Sequence, residues 1–340
     1  MKLCSVVFTS LLLTGCAGVQ QSAVDPAGPQ SGRIADLLWF FLGLLTAIFV
    51  AVIIVTAVAL TRRHRGFAQE PLEQTHLPSE ATERKLTRNV SIASIATTLI
   101  LIGLIVASVS TGNAISDYNP HINPLTVEVT ANQWWWYVRY PNDIADLTVT
   151  TANEIHIPVG RPIMIRGTSN DVIHSFWVPN LHGKADLIPS RVRTEWIQAD
   201  RPGRFRGQCA EFCGLQHAHM SFWVIAEPQP QFDAWMNRQR QPAIEPENDD
   251  TRRGQQVFLS HACALCHSIQ GTTAAGSAGP DLTHLASRAS IAAGTLPNTK
   301  GNLAGWIVDP QSIKPGNRMA TVPLQPEDIQ PLIDYLGSLQ

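Results

Sequence analysis

Between residues 209 and 220 the chain reads Cys209-Ala210-Glu211-Phe212-Cys213-Gly214-Leu215-Gln216-His217-Ala218-His219-Met220. Two thiols, an imidazole and a thioether in so short a run form a soft donor set of the kind that copper or zinc takes. The thioether favours copper in a redox role. Two cysteines four apart in a turn can bridge two metal ions, and each ion then needs one imidazole. His217 supplies one, so the second must come from elsewhere in the chain. A disulfide is the competing reading of the thiols, and the flanking His and Met argue against it. His219 reads as a solvated or supporting residue.

Around this motif, residues 111–228 alternate apolar and polar side chains over short runs. Examples are Thr126-Val127-Glu128-Val129-Thr130, Leu147-Thr148-Val149-Thr150 and Ile155-His156-Ile157-Pro158-Val159. Turn signals such as Pro202-Gly203 separate them, which predicts an all-β sandwich or barrel. Downstream, Gln231–Met236 predicts a short helix packed back on this domain, and residues 240–250, with Pro242 and Pro246, read as a flexible linker.

After the linker the pattern turns helical, and Cys263-Ala264-Leu265-Cys266-His267 carries the C-x-x-C-H signature of covalent c-type haem attachment. The thiols add to the haem vinyl groups and the adjacent imidazole binds the iron. A thiol redox motif is the weaker alternative. Met ligation on the other face is typical of cytochromes c. Met319 is the one Met downstream of the motif, in Lys314-Pro315-Gly316-Asn317-Arg318-Met319. His284 competes for that position.

Upstream, Leu37–Leu60 and Val90–Val109 are uncharged stretches of 24 and 20 residues, each long enough to cross a ~30 Å hydrocarbon core as a helix. Arg62, Arg63, Arg65, Arg84, Lys85 and Arg88 lie between them, which puts that loop in the cytoplasm and both termini outside. The first fifteen residues read as a signal peptide ending at Leu13-Thr14-Gly15-Cys16, similar to a bacterial lipoprotein box that would leave a lipid on Cys16. Residues 16–33 read as a flexible spacer. The six cysteines are thereby accounted for: Cys4 leaves with the signal, Cys16 takes lipid, one pair goes to metal and one to haem.

The 340 residues carry 25 basic and 27 acidic side chains, a net charge of -2, so no basic field exists for nucleic acid. Charged residues make up only 15% of the chain, and the apolar excess is concentrated in the two stretches above.

The copper-type motif resembles the binuclear CuA site of subunit II of the haem–copper cytochrome c oxidases. Asp171-Val172-Ile173-His174-Ser175, Lys184-Ala185-Asp186-Leu187-Ile188-Pro189 and the cluster Gln133-Trp134-Trp135-Trp136-Tyr137 also look like that family. The likeness covers about residues 33–238, and residues 251–340 resemble a class I cytochrome c domain. The resemblance implies a two-helix transmembrane hairpin, an all-β cupredoxin-like domain over 111–239 and an all-α cytochrome c domain over 251–340. It implies CuA ligation by His174, Cys209, Cys213, His217 and Met220, with Glu211 contributing its backbone carbonyl and turning its carboxylate toward a Mg²⁺ ion shared with subunit I. Trp134 would be the aromatic contact where electrons arrive. Cys263, Cys266, His267 and Met319 would hold haem c. The chain would accept electrons from a cytochrome c or a quinol–cytochrome c reductase and deliver them to subunit I, beside subunit III, in a bacterial cell membrane.

The chain departs from the family pattern at Ala320, where relatives have Pro, at Tyr137-Val138-Arg139-Tyr140, and in the second span, which lacks a Trp-Thr pair and a Pro. Glu83 aligns weakly with a glutamate near a proton entrance and reads as solvated. The alternatives are a quinol oxidase subunit II, which would lack the copper donors, and a membrane-anchored electron carrier with no oxidase partner.

Overall fold

The computed structural model describes residues 20–66, 79–116 and 124–340. Cys4, Cys16, His121 and most of the loop between the spans lie outside the described residues. The chain divides into two compact units, residues 33–117 and the remainder.

The smaller unit is built from helices α1 (Pro29–Gly66) and α2 (Glu80–Ser116). Both outrun the uncharged stretches, at their facing ends because the Arg, Glu and Lys residues there are themselves good helix formers. Their apolar side chains, such as Phe49, Val55, Leu99 and Ile105, are exposed along the whole length. Helices apolar all round that find no protein to bury against are long enough and apolar enough to cross a membrane. The Arg33 guanidinium donates to the Ala114 carbonyl and ties the two helices at one end.

In the larger unit ten strands form a sandwich: β1 (Leu125–Asn132), β2 (Trp135–Tyr140), β3 (Val149–Ala152), β4 (Glu154–Pro158), β5 (Ile163–Ser169), β6 (His174–Trp177), β7 (Ala185–Leu187), β8 (Arg193–Ile197), β9 (Gly203–Cys209) and β10 (Ser221–Glu227). One sheet has the order β3-β2-β1-β5-β8 and the other β4-β10-β9-β6-β7. Each contains one parallel pair, β1 with β5 and β4 with β10. The alternation seen in the sequence puts Val127, Val129 and Ala131 of β1 and Trp136, Val138 and Tyr140 of β2 inside. Between the sheets the Phe222 ring meets Trp136 at 4.9 Å and stacks on Phe176 at 4.7 Å. Gly207 faces Phe222 across the β9–β10 ladder, and a Cβ there would lie 2.2 Å from the ring. Helix α3 (Gln229–Gln239) packs back on this sandwich through Phe232, Trp235 and Met236.

The described part of the 16–33 segment is docked, which departs from a flexible spacer. Ala27 N–H donates to the Asn180 carbonyl at 2.7 Å and the Ala27 carbonyl accepts from Asp200 N–H at 2.7 Å. The Asn180 amide donates to the carbonyls of Ser22 and Asp25, and Arg201 pairs with Asp25 at 3.0 Å. Gly28 makes the approach possible, since a Cβ there would sit 2.1 Å from the Gln198 carbonyl oxygen. The small residues that look like spacer are the ones that let this segment lie close to the sandwich.

The last domain contains α4 (Asp249–Ser260), α5 (Cys263–Cys266), a short ladder of β11 (Ser290–Ile291) with β12 (Leu296–Pro297), then α6 (Lys300–Val308), α7 (Pro310–Ile313) and α8 (Pro326–Leu336). Asn248 and Thr251 cap α4 reciprocally. Helices α4 and α8 cross at Gly254, where a Cβ would fall 2.0 Å from the Pro331 carbonyl oxygen. The linker is also held, contrary to the sequence expectation. Ala243 N–H donates to the Gln270 carbonyl at 2.9 Å, and Pro242 seats against Gly271, whose φ of +90 keeps the contact open.

Candidate metal and haem centres

The turn after β9 and the start of β6 bring the soft donors together. Cys209 Sγ lies 3.7 Å from Cys213 Sγ and 3.7 Å from His174 Nδ1. Cys213 Sγ lies 3.6 Å from His217 Nδ1 and 3.9 Å from Met220 Sδ. The Glu211 carbonyl oxygen stands 3.2 Å from Cys209 Sγ. His174, Cys209, Cys213 and Met220 are all buried. The six residues named from the sequence thus share one place, although His174 is 35 residues from Cys209.

Asp171 orients His174. One carboxylate oxygen accepts from His174 Nε2 at 2.8 Å and from Val172 N–H at 2.8 Å, while the other accepts from Gln133 N–H at 2.7 Å. Burial alone would raise the Asp171 pKa, and these donors hold it below the usual carboxylate range. With Nε2–H directed at Asp171, the Nδ1 lone pair faces the sulfurs.

The thiols show what they need. Cys209 is pulled down, first by its contact with Cys213, and Cys213 is pushed up by the same contact. A pair so close shares one proton, because two thiolates at this distance repel. Keeping both ionised requires positive charge between them, which copper ions supply. His219 turns away and bonds Gln216 Oε1 at 2.8 Å, so it stands apart from the donors.

In the haem domain, His267 Nδ1 donates to the Pro280 carbonyl at 2.7 Å, which leaves Nε2 for a metal. Gly279 lies flush on that ring, since a Cβ there would meet His267 Cε1 at 2.6 Å. The Met319 loop is shaped by Asn317, which accepts from Met319 N–H at 2.7 Å, and by Gln311, which donates to the Met319 carbonyl at 3.0 Å. The competitor His284 is buried with both ring nitrogens on carbonyls, Gln340 at 2.7 Å and Gln241 at 3.1 Å, so neither is free for iron.

The two domains that carry these residues lie in one compact unit and touch. Trp134 is 7% exposed. Its indole N–H donates to the Cys213 carbonyl at 3.0 Å, beside a second donor to the same oxygen, Gln133 Nε2 at 2.8 Å. Gly316 of the Met319 loop lies over the indole edge and Leu215. Further contacts join Gln216 Nε2 to the Pro315 carbonyl at 2.8 Å, Ala289 N–H to Glu154 at 2.9 Å and Ser221 N–H to the Ala293 carbonyl at 3.0 Å. Lys314, also buried, donates to the carbonyls of Trp134 and His219 at 2.9 Å each and of Ala292 at 3.2 Å. Burial brings the Lys314 pKa down to about 7, and the Coulombic pull of Cys213 offsets part of that. None of these interdomain residues was legible as a contact, because each partner is remote in sequence.

The family profile described as cytochrome C oxidase subunit II, periplasmic domain, matches residues 143–227, and that of cytochrome c matches 251–340. The cytochrome c oxidase subunit 2 of Alkalihalophilus pseudofirmus is 37% identical over 98% of this chain and 95% of its own length. The chain belongs to the cytochrome c oxidase subunit II family. The Bacillus subtilis cytochrome c oxidase subunit 2 is 28% identical over 97% of the chain and 95% of its own length. The crystal structure of the periplasmic domain of cytochrome oxidase subunit II from Bradyrhizobium japonicum is 31% identical, with a TM-score of 0.31, over 33% of this chain and 91% of that one. As a subunit II with a fused cytochrome c domain, the chain belongs with a haem–copper oxidase. Its first domain implies CuA copper and its second implies haem, and the cluster of His174, Cys209 and Cys213 suits the copper.

Proposed function

We propose that this subunit II takes electrons in at haem c and hands them through Trp134 to CuA, for delivery to an oxygen-reducing, proton-pumping subunit I beside subunit III. When bound, the haem and the copper pair supply reversible one-electron oxidation and reduction. The chain's residues do the rest. Cys263 and Cys266 would tether the haem, His267, aimed by Pro280, would bind its iron, and Met319 would supply the second iron ligand from its hydrogen-bonded loop. His174, Cys209, Cys213, His217, Met220 and the Glu211 carbonyl would hold copper, with Asp171 setting the His174 tautomer.

The observation that carries this reading is the place of Trp134. It is covered by the haem domain on one edge and bonded to the Cys213 carbonyl on the other. A soluble donor meets instead the haem attachment turn, where Leu265 is 78% exposed. The donor is a cytochrome c or a quinol–cytochrome c reductase. The haem domain carries six basic and five acidic residues, which gives no strong steering of either sign. The Glu211 carboxylate pairs with Lys184 at 3.3 Å, so a Mg²⁺ ion there would take its other ligands from subunit I. The basic residues at the facing ends of the two helices, with Glu83 among them, support a cytoplasmic side for those ends and an outer side for the redox domains. Cleavage before Cys16 would leave a lipidated terminus on the outer side as well.

Rapid mixing of the purified complex with a reduced donor tests the route. The haem absorbance should change first and the copper band after it. Copper reduced before haem, or a preparation in which no haem–copper subunit I co-purifies, would favour a different role, the latter a membrane-anchored carrier outside any oxidase.

A further inference from the structure

Lys314 ends α7, and its side chain leaves the haem domain and enters the copper domain. A lysine that is only 2% exposed ordinarily has a carboxylate beside it. Here every hydrogen bond from its amine goes to backbone carbonyls. Trp134 and His219 lie on either side of the copper donors, and Ala292 lies in the haem domain. The three acceptors match the three N–H bonds of an ammonium, a tetrahedral point donor that a planar guanidinium cannot imitate.

The acceptor on the haem side is built at a cost. Ala292, Ala293 and Gly294 have φ of +52, +56 and +73, a left-handed run that alanine rarely adopts. That turn aims the Ala292 carbonyl at Lys314 and the Ala293 carbonyl at Ser221 of β10. The residues after Lys314 continue the contact, with Pro315 bonded to Gln216 and Gly316, at φ +82, seated against Leu215 and over Trp134.

We propose that Lys314 is the positioning residue that seats the haem domain on the copper domain, its ammonium held in a cage of the Trp134, His219 and Ala292 carbonyls so that the Met319 loop closes over Trp134. This rests on the haem-to-copper route above and adds the device that fixes its geometry.

The test uses the full oxidase with both centres loaded. Transfer is started by a light pulse on an added ruthenium photoreductant, which gives one electron to the haem, and is read as the rise of reduced copper. In Lys314→Met, which keeps length and loses the donors, and in Lys314→Arg, which keeps charge and loses the shape, transfer should slow about tenfold or more, since small displacements of a reacting pair cost at least that. The haem and copper spectra should be unchanged. Wild-type transfer in either variant with both spectra intact overturns the proposal. If a variant fails to take up haem or copper, amine labelling of the wild-type complex decides. Lys314 should label far more slowly than Lys300, whose side chain is 68% exposed, and equal labelling overturns the proposal. A wild-type complex in which reduced haem never reduces copper, with Lys314 still protected, would instead overturn the route and leave the seat standing.

Discussion

Asp171 shows how much a single side chain settles at the copper site. It accepts from His174, Val172 and Gln133 together, so it fixes both the imidazole and the turn leading to Trp134. Asp171→Asn loses one acceptor oxygen and leaves the tautomer free. Copper affinity should fall about 10–100-fold, read by competition with a chelator, and unchanged affinity would show that orientation is set elsewhere. His156 is a different case. It stacks on Trp235 at 4.0 Å and bonds Glu227 at 3.2 Å, with Glu154 near. Burial would lower its pKa, but the hydrogen bonds and charges of Glu154 and Glu227 outweigh that and raise it above 6.5. A base raised in the folded chain stabilises fully below its ordinary value and loses that contribution as pH climbs through the folded value. His156→Gln should therefore cost most below about pH 6.5 and least in alkali, measured as the difference in melting temperature from wild type across pH. A cost that grows with pH would reverse the assignment. At this scale the cluster of soft donors was legible because most of its residues sit in one motif. Lys314 and Glu154 were not, since their partners stand 95 and 135 residues away and only the fold brings them near.

Among elements, strands with one face in the core were read readily, as β1 was from Val127 and Val129. Strand β4 was read by its alternation but is buried throughout, because α3 covers the face that carries His156. Periodicity reports one covered face and is blind to a second cover supplied from afar. Helices α1 and α2 were placed by their apolar cores, while their facing ends, rich in charged residues that are good helix formers, ran on. The residues at 20–32 and 241–243 look like linkers by composition and are pinned by backbone hydrogen bonds, which composition does not encode. The crossing of α4 and α8 depends on Gly254. Gly254→Ala should destabilise the haem domain by about 1–3 kcal/mol through overpacking, seen as an earlier loss of the haem band on heating. No change would mean that the two helices slide apart freely.

For the whole molecule, the fused cytochrome is docked as well as tethered. A flexible linker would hold the haem near copper only as a raised local concentration. The interdomain bonds from Lys314, Gln216, Ser221 and Glu154 hold it in one pose. Cutting the chain at 244–247 should leave the haem domain bound, with little response to salt, because the seat uses carbonyls and few exposed charges. A domain that washes away at once would return the association to the tether. The same seat sets an order of events in time. Cys209 and Cys213 are 2% and 3% exposed, and the loop that carries them is roofed by Pro315 and Gly316. Phe212 and Leu215 of that loop stay 77% and 80% exposed, so the roof is partial and hinders a metal ion without excluding it, while a pair of thiols must stay reduced until the ion arrives. The order expected of maturation is thiols reduced, copper taken up, and the cytochrome settling last like a lid. Copper-free protein should accept copper more quickly once its linker is cut and the roof displaced, and equal rates would mean that the metal has another way in.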